Sequence, residues 1–385
     1  MYPIKKLQDC ATIIAGQSPE SKYYNSTGEG IPFFQGKADF GELYPKVRVY
    51  CSSPTKIAQY NDILLSVRAP VGPTNLSPGT VCIGRGLAAI RPDDSLDLKY
   101  LLYYFRYFET QLSAKGTGTT FKAINQKLIK NLEIPIPPLN EQFRIVARIE
   151  ELFSELDKAV DTLKTTKEQL EVYRQAVLKE IFDSVSTTSV HIKDVCLDIK
   201  VGIVIKPTQY YVSENGVPAF RNANVRRGYI NDTDWVMISK EGHQQNCRSE
   251  VHTNDVLISR SGANLGMASV VPARYNGYNA IDVVIAVPDI SKVIPEFLAQ
   301  YTNSPMGRAI VKKNERGAAQ GHLNVSAYAN LPIGVPDLQE QEKLVKQISD
   351  RLSVCDSIEK TVDTALAQAD AMRQSILKQA FEGKI

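Results

Sequence analysis

NLEIPIPPLNEQFRIVARIEEL, at residues 131–152, returns in similar form as NLPIGVPDLQEQEKLVKQISDR, at residues 330–351. The likeness continues without a gap over residues 131–182 and 330–381, where 19 of 52 positions are identical, far above chance. Solenoid repeats have periods of about 20–50 residues, so an offset of 199 residues indicates two half-molecules in one chain. We therefore expect a pseudo-twofold axis, and a molecule with that symmetry is suited to a two-sided target.

Each copy of the repeat is predicted to form a long helix. Pro137 and Pro138 disfavour helix immediately before Leu139. Asn140 can cap the start of the helix, and Glu141 suits its positive end. Apolar residues then recur at heptad spacing in both copies: Ile149, Leu156, Leu163, Leu170 and Val177, and Ile348, Cys355, Val362, Ala369 and Ile376. Five heptads predict a helix of about 40 residues in each copy.

The two helices can bury their apolar stripes against each other. If the halves are related by a twofold axis, the helices should pair as an antiparallel coiled coil. The alternative is that each helix packs on its own globular domain.

The segments between the repeats are predicted to be strand-rich and to share one framework. Short apolar strands lie at residues 62–66 (DILLS) and 255–259 (DVLIS), and each leads into a loop that contains glycine. GIPFFQ at residues 30–35 matches GVPAFR at residues 216–221. The framework is shared while many polar positions within it differ, as expected for two domains that bind different targets.

The predicted fold class is α+β, with two strand-rich domains alternating with two long helices that pair as an antiparallel coiled coil, in a pseudo-twofold repeat. Each strand-rich segment also has a helical stretch near its end, at residues 98–112 and 294–312. Four segments are assigned: a first variable domain, a first spacer helix, a second variable domain and a second spacer helix. Their boundaries are 1–130, 131–185, 186–329 and 330–385.

The net charge of +3 conceals an alternation along the chain. Residues 1–130 and 186–329 carry 16 and 15 lysines and arginines against 10 and 12 aspartates and glutamates. Residues 131–185 and 330–385 carry 7 and 7 against 11 and 9. A polyanion would therefore be held by the variable segments, while the repeated helices face another partner. Chance fluctuation of a few charges is the alternative.

Length and composition are those of an ordinary globular protein. The 385 residues allow two to four domains, and 43% are apolar and 23% charged. No apolar run approaches the roughly 20 residues that span a bilayer, and MYPIKKLQDC at the start lacks the apolar stretch of a signal peptide. The six cysteines are scattered without a CxxC motif, which fits reduced thiols. No membrane partner is expected, and the cytoplasm is the expected compartment.

No catalytic or metal-binding constellation is found in the sequence. GIPFFQGK at residues 30–37 resembles a phosphate loop, but five residues separate its glycines and Ala38 stands where Ser or Thr should bind magnesium. Neither GxGxxG after a strand nor GxSxG occurs. His243, Cys247 and His252 could supply three metal ligands, but a fourth is missing and the spacing matches no common zinc module. The chain is predicted to bind and not to catalyse, with no catalytic residue and no metal site.

Several motifs together resemble the specificity (S) subunits of Type I restriction–modification systems, and the resemblance covers the whole chain. They follow the order variable segment, helix, variable segment, helix. They include PIPPLNEQ and PDLQEQ before the helices, NDILLS and NDVLIS in the variable segments, GTTFKAIN at residues 118–125 and LKQAFEGKI at residues 377–385. Each motif alone is weak, but the ordered set is strong.

The resemblance implies two target-recognition domains, each reading one half of a split sequence in double-stranded DNA. It also implies that the helices space these domains and dock two methyltransferase subunits, which carry S-adenosylmethionine and methylate adenine. Restriction subunits could join them, with ATP and magnesium; this chain itself binds no cofactor. The second copy has AAQGH at residues 318–322 where the first has TTFKA at residues 119–123, so contacts in that loop cannot be transferred between the halves.

Polar and basic loop residues of the variable segments are the candidates for contacts with DNA, because such side chains bond phosphates and base edges. In the first domain they are Gln17, Ser18, Gln35, Lys37, Arg68, Thr119, Thr120 and Lys122. In the second domain they are Lys206, Arg221, Asn222, Asn224, Arg226, Arg227, Arg260, Asn264, Arg316 and His322. Arg68, Arg221 and Arg260 are preferred, since each lies in or beside a motif that both halves share. Any single member could instead be a solvated loop residue.

Two other classes of protein remain open at this point. A coiled-coil assembly adaptor without nucleic-acid binding would need only the acidic helices, but it leaves the basic loops unexplained. An enzyme with an unrecognised site is disfavoured by the absent motifs. A salt-dependent shift of duplex DNA would count against the adaptor, and incubation with S-adenosylmethionine and DNA would test the enzyme.

Overall fold

The structure is a computed structural model, and it describes residues 2–116, 123–185, 187–314 and 322–385. The chain divides into two compact units. The first unit is Met1–Leu163 with Thr364–Ile385, and the second is Lys164–Asp363. Each long helix therefore contributes one part to each unit.

The first unit contains eleven strands among its described residues. They are β1 (Ile4–Lys6), β2 (Ala11–Ala15), β3 (Tyr24–Asn25), β4 (Ile31–Phe34), β5 (Tyr50–Cys51), β6 (Ile57–Ala58), β7 (Ile63–Ser66), β8 (Thr74–Leu76), β9 (Val81–Ile83), β10 (Leu87–Pro92) and β11 (Glu133–Pro135). A four-stranded antiparallel sheet has the order β2-β10-β7-β8, and a five-stranded sheet has the order β3-β5-β4-β9-β6. Strands β1 and β11 form a separate antiparallel pair. The helices α1 (Leu98–Ala114) and α2 (Gln126–Lys130) follow the sheets.

The second unit repeats this plan. Its strands are β12 (Ser189–His191), β13 (Cys196–Val201), β14 (Tyr211–Val212), β15 (Val217–Phe220), β16 (Val236–Ile238), β17 (Val256–Ser259), β18 (Ala268–Val270), β19 (Asn279–Ala280), β20 (Val283–Pro288) and β21 (Pro332–Gly334). Its shorter helices are α4 (Lys240–Gln245), α5 (Pro295–Asn303), α6 (Pro305–Asn314) and α7 (Val325–Ala329). The sheets have the orders β13-β20-β17-β18 and β14-β16-β15-β19, and β12 pairs with β21.

The strand predictions are confirmed. The DILLS and DVLIS segments form β7 and β17, and each is a buried strand in the four-stranded sheet of its unit. The matched segments at residues 30–35 and 216–221 form β4 and β15, and each pairs in parallel with the strand that precedes a tight turn. A single helix predicted over residues 294–312 is instead two, α5 and α6. The break falls at Ser304 because Pro305 has no N–H to donate to the preceding turn.

The long helices are α3 (Leu139–Asp183) and α8 (Leu338–Phe381), with 45 and 44 residues. In the second unit the Nζ atom of Lys167 lies 2.7 Å from Asp363, and an Nη atom of Arg351 lies 3.0 Å from Glu180. The residue number rises from 167 to 180 along α3 while that of the paired residue falls from 363 to 351 along α8, so the two segments run antiparallel. In the first unit Arg373 pairs with Asp157, again between α8 and α3. The predicted antiparallel coiled coil is confirmed.

The helix ends also pack on the sheet domains, which was the alternative to pairing. In the first unit Ile149 of α3 and Leu377 of α8 share one core with Ile63, Ile90 and Phe105, which are all 0% exposed. The second unit has an equivalent core around α5 and the sheet. Both packings therefore occur, and each unit contains one end of each long helix.

A buried glutamine explains the motif that precedes each long helix. In the first unit Gln142 accepts a hydrogen bond from the backbone N–H of Asp97, with 2.7 Å between the heavy atoms. Its Nε2 atom donates to the carbonyl oxygens of Ser95 and Pro137. Gln341 makes the same three bonds in the second unit. The glutamine thus ties the first turn of the long helix to the loop before the neighbouring shorter helix.

Candidate nucleic-acid interface

An open cleft of about 610 Å³ lies at the ends of the strands in the first unit. Most of its lining comes from the loop after β4, the loop after β7 and the turn between β9 and β10, with Ser18 from the loop after β2 and Val49 from the segment before β5. The lining side chains and backbone come from Ser18, Phe33, Gln35, Gly36, Lys37, Ala38, Asp39, Val49, Ser66, Arg68, Ala69, Pro70, Arg85 and Gly86. The sheets thus bring together residues that are far apart in the sequence.

The turn between β9 and β10 has the sequence Gly84-Arg85-Gly86. A Cβ atom on Gly86 would lie 2.1 Å from the carbonyl oxygen of Gln35, so only glycine allows the loop after β4 to approach. The backbone N–H of Arg85 donates to the Oγ atom of Ser18, with 3.2 Å between the heavy atoms. The exposed Arg85 side chain is therefore placed in the cleft by a tightly packed backbone.

Hydrogen bonds within the two other loops hold their shape. The Oγ atom of Ser66 donates to the carbonyl oxygens of Arg68 and Pro70, at 3.1 and 2.8 Å. A carboxylate oxygen of Asp39 accepts from the backbone N–H of Gln35 at 2.8 Å. These bonds involve backbone atoms of the lining residues, so the exposed side chains of Gln35 and Arg68 stay available to a ligand.

The cleft carries positive charge. Lys37, Arg68 and Arg85 are exposed, and none of the three has an ion-pair partner within 4.0 Å among the described residues. The one carboxylate in the lining, Asp39, is turned toward backbone N–H groups and lies 3.6 Å from Arg48. A cationic cleft that also holds the exposed amide of Gln35 can bind a phosphate backbone and bond base edges.

Four of the eight candidate residues of the first domain meet in this cleft: Ser18, Gln35, Lys37 and Arg68. Gln17 instead lines a separate open cavity of about 510 Å³ with Lys56 and Gln126. Thr119, Thr120 and Lys122 lie outside the described residues. Sequence reasoning missed Arg85, although an arginine between two glycines is a signal for a tight turn that exposes a charged side chain.

The register of the second unit places different residues on the same framework. Ala280 stands opposite Phe220, as Ile83 stands opposite Phe34 in the first unit. The residue after Phe34 is Gln35 and the residue after Phe220 is Arg221. Arg221 therefore takes the framework position of Gln35, and Asn222 that of Gly36.

Asn222 organises the loops at this position and is itself saturated with hydrogen bonds. Its Oδ1 atom accepts from the Oγ atom of Ser259 at 3.0 Å and from the backbone N–H of Arg260 at 2.6 Å. Its Nδ2 atom donates to the Oγ atom of Ser261 at 2.9 Å. Its carbonyl oxygen accepts from Asn264 at 3.0 Å. Asn222 and Asn264 thus shape the site from within.

Arg260 is also engaged inside the protein. Its Nη1 atom lies 2.8 Å from a carboxylate oxygen of Asp282, and its Nε atom donates to the carbonyl oxygen of Leu323 at 3.0 Å. The backbone N–H of Leu323 bonds Arg260, and in the first unit Ile124 bonds Val67 in the same way. Arg260 therefore occupies the framework position of Val67 and not that of Arg68, so the two halves do not share an arginine here.

The remaining candidates of the second domain differ in how far their side chains are already bonded within the protein. Asn224 is 0% exposed, and its Nδ2 atom donates to the carbonyl oxygens of Asn231 and Thr233, so its side chain fixes a turn. Arg221 donates to the carbonyl oxygen of Asp234 at 2.6 Å.

Arg226 and Arg227 are both half-buried. Arg226 donates to its neighbouring carbonyl at Val225, at 3.2 Å. Arg227 forms an ion pair with Glu171 of α3, and burial together with the charge of Arg308 lowers the pKa of Arg227 to about 10. That ion pair makes Arg227 a contact between the sheet-rich segment of the second unit and α3.

Two other candidates, Lys206 and His322, are exposed. His322 lines an open cavity of about 500 Å³ with Asn324, Ser326 and Asn330. Arg316 lies outside the described residues. Contact of any of these residues with DNA stays a prediction.

Metal ligation was considered for His243, Cys247 and His252. In the structure His243 faces Glu250 at 3.5 Å and the amide of Asn279 at 3.1 Å. Within residues 2–116, 123–185, 187–314 and 322–385 no group of three or more His, Cys, Asp or Glu side chains has the geometry to hold a metal ion. In the same ranges no helix combines the length and apolar character needed to span a bilayer.

Comparisons with known proteins give a consistent family. The family model described as "Type I restriction modification DNA specificity domain" matches residues 2–172 and again residues 178–368. The MjaX specificity subunit of Methanocaldococcus jannaschii, named as a type I restriction enzyme subunit, is 42% identical over 167 residues, which are 43% of this chain and 38% of that protein. The Type I restriction enzyme EcoBI specificity subunit of Escherichia coli is 25% identical over 317 residues, 76% of this chain and 67% of that protein.

A solved structure, that of the HsdS subunit from Thermoanaerobacter tengcongensis, is 50% identical over 40% of this chain and 37% of that chain, with a TM-score of 0.37. The match of the family model is the broader finding, because its two matches together cover most of the sequence, one in each half. The chain therefore belongs to the family of Type I restriction–modification DNA specificity subunits, and it carries two copies of the family's domain.

Proposed function

We propose that the chain is the DNA-recognition subunit of a Type I restriction–modification complex, and that each unit reads one half of a split duplex sequence. The observation that carries this proposal is the cleft of the first unit. Three cations, Lys37, Arg68 and Arg85, lie there beside the exposed amide of Gln35, and none of the three has an ion-pair partner within 4.0 Å in the part of the chain that the structure describes. Phosphate contacts would hold the duplex in register, and contacts with base edges would select the sequence. Membership of the family supports the same function.

The chemistry belongs to other subunits in this proposal. Two methyltransferase subunits would bind S-adenosylmethionine and methylate adenine, after turning the target base out of the stack. Restriction subunits, where they are present, would use ATP and magnesium. The specificity chain supplies recognition and assembly, contributes no catalytic residue, and acts in the cytoplasm on the cell's DNA.

The long helices are the proposed docking surface for these subunits. Leu156 and Leu163 in the first unit and Leu170 in the second stay half-exposed after α3 and α8 have paired. A two-helix seam leaves such positions partly in water, and further helices can cover them. The acidic charge of the repeated segments distinguishes this surface from the basic recognition domains. An assembly adaptor without nucleic-acid binding would use the same helices but gives no reason for the cationic cleft.

Methylome sequencing of cells with and without this gene, together with its methyltransferase partner, tests the proposal. We expect methylated adenine at a split, asymmetric sequence that disappears when the gene is deleted. The purified chain alone should shift duplex DNA with a strong dependence on salt and should transfer no methyl group. Methyl transfer by the chain alone, or an unchanged methylome after deletion, would contradict the proposal.

A further inference from the structure

Two adjacent apolar side chains stand in solvent on a loop of the second unit. The loop follows β13, and Val204 and Ile205 in it are 46% and 76% exposed. Their neighbour Ile203 is 5% exposed and packs in a core with Ala219 and Ile281. The loop is therefore anchored by Ile203, and the next two side chains leave the protein.

The loop is attached to the turn that carries Asp282. The backbone N–H of Ile203 donates to the carbonyl oxygen of Ala280 at 2.8 Å, and the N–H of Asp282 donates to the carbonyl oxygen of Ile203 at 3.1 Å. The Asp282 carboxylate in turn holds Arg260. Val204 therefore follows directly on a residue that is bonded to the turn of Asp282, which pairs with Arg260.

The residue of the first unit that corresponds to Val204 lies in the cationic cleft. There Gln17 donates its backbone N–H to Ile83, which is the counterpart of the bond from Ile203 to Ala280. The next residue, Ser18, lines the cationic cleft. Val204 takes the framework position of Ser18, so a hydroxyl group in one unit is replaced by an apolar group in the other.

Near Asp282 the polar side chains of Asn222 and Arg260 are bonded to other groups of the protein. Lys206 directly follows the apolar pair, and its exposed ammonium group has no ion-pair partner within 4.0 Å among the described residues. Its backbone is left-handed, with φ of 42°. The loop thus presents two apolar side chains followed by one free cation.

We propose that Val204 and Ile205 contact the 5-methyl group of a thymine in the half-site read by the second unit, while Lys206 bonds a neighbouring phosphate. The inference rests on the proposed function of the chain. Thymine is the base that shows a methyl group in the major groove, and apolar side chains recognise it there. The first unit, with Ser18 and Gln35 in its cleft, reads its half-site through hydrogen bonds instead.

Replacement of thymine by uracil removes only this methyl group, so it is the probe of choice. After the target has been located by methylome sequencing, each thymine of both half-sites is replaced singly. Binding to the full chain with its methyltransferase partner is then measured. One replacement in the second half-site should weaken binding about fourfold, the factor for about 0.8 kcal/mol per buried methyl-sized group. In the Ile205→Ser protein the same replacement should have no effect.

Ile290→Ser is the matched control. Ile290 is 66% exposed in the same unit, but it follows the opposite end of β20 from Asp282. This variant should keep the sensitivity to uracil. Ile205 is mostly in solvent, so its replacement by serine leaves the core intact, and retained binding of the uracil duplex confirms folding.

Three results would overturn the inference. The first is a second half-site in which no thymine is sensitive to uracil. The second is unstacking of a base step, reported by 2-aminopurine fluorescence, that depends on Ile205 without any dependence on the methyl group. The third is loss of methyltransferase assembly in Ile205→Ser. Absence of specific binding by the unaltered complex would instead reject the proposed function itself.

Discussion

Two buried aspartates occupy equivalent places in the two units but have different neighbours. Asp62 is 1% exposed and receives two hydrogen bonds from Arg91, at 2.7 and 2.8 Å. Asp255 is 3% exposed, and Val287 takes the place of that arginine in the sheet register. Burial raises the pKa of Asp255 above its ordinary value.

We expect the same substitution to destabilise the protein at Asp62 but not at Asp255. Asp62→Asn should lower the free energy of unfolding by about 1–2 kcal/mol at pH 7, because Arg91 loses its charged partner. Asp255→Asn should be neutral or stabilising at pH 7, because Asn can still accept from the N–H of His252 and carries no charge to bury.

The pH dependence follows from the raised pKa of Asp255. A carboxyl group with a raised pKa in the folded state stabilises the protein fully below its unfolded pKa and loses that contribution as pH rises through the folded pKa. The advantage of Asp255→Asn should therefore vanish as pH falls toward about 4, the ordinary pKa of aspartate. Thermal unfolding of both variants between pH 4 and pH 7 measures this. Equal destabilisation by the two substitutions at pH 7 would contradict the assignment.

Lys37 is the residue of the cleft that can distinguish a contact with the DNA phosphates from a contact with the bases. If it bonds phosphate, Lys37→Ala should weaken binding of all duplexes alike and reduce the slope of log K against log salt by about one unit. Lys22→Ala is the control, because Lys22 pairs with Glu20 elsewhere in the same unit. Titrations with the target and with an unrelated duplex decide the matter. A loss confined to the target sequence would assign Lys37 to a base.

At the scale of elements, the start of each long helix depends on one glutamine. Gln142→Ala removes three hydrogen bonds, one buried and two part-buried, from the N–H of Asp97 and the carbonyl groups of Ser95 and Pro137. We expect a loss of about 3 kcal/mol in the stability of the first unit, since each unsatisfied buried group costs about 1–3 kcal/mol. Gln341→Ala should act equally on the second unit.

Gln379→Ala on α8 serves as the control, because the exposed Gln379 side chain donates a hydrogen bond to the Oγ atom of Ser375 one turn earlier in the same helix. Hydrogen exchange resolves the two units, so Gln142→Ala should raise exchange around α1 and Gln341→Ala around α5. Uniform exchange across both units in either variant would show that the motif does not act locally.

Sequence periodicity predicted the elements well and the site only in part. The heptads predicted α3 and α8, and the short apolar runs before glycine-containing loops predicted β7 and β17, because burial imposes those patterns directly. The site depends on which loops meet, which no local pattern records. Arg85 was missed because it comes from a turn remote in sequence from Arg68. Asn224 was chosen for its residue type, although its side chain is used inside the protein.

At the scale of the whole molecule, the duplicated chain presents two loop surfaces with unlike chemistry on one framework. The first unit offers the exposed amide of Gln35 and exposed cations in its cleft, whereas in the second Asn222 and Arg260 are bonded within the protein and the apolar residues Val204 and Ile205 are exposed. Both copies keep the framework because the sheets, and the surfaces on which the long helices pack, must be preserved for folding. The loops can diverge, since they contribute little to the core.

The hydrogen bonds that join the first recognition domain to α3 identify the part that can be exchanged. Among the described residues they come from outside residues 11–92. The contributing residues are Tyr2, Ser95, Asp97, Lys99 and Tyr103. Residues 11–92 contain Arg68 and Arg85 together with both sheets of the domain. The reading surface can thus be separated from most of the polar attachment to the helix.

Replacing residues 11–92 with the matching segment of a relative of different specificity should therefore change one half of the recognised sequence and leave the other half intact. The thermal stability and the assembly with methyltransferase should be retained, because the bonds to α3 remain. Methylome sequencing of cells that carry the chimaera reads both halves at once. The reciprocal exchange of residues 196–288 should alter the other half and spare the first. If either exchange changed both halves together, the two units would form a single composite reader, and independent recognition by each unit would be excluded.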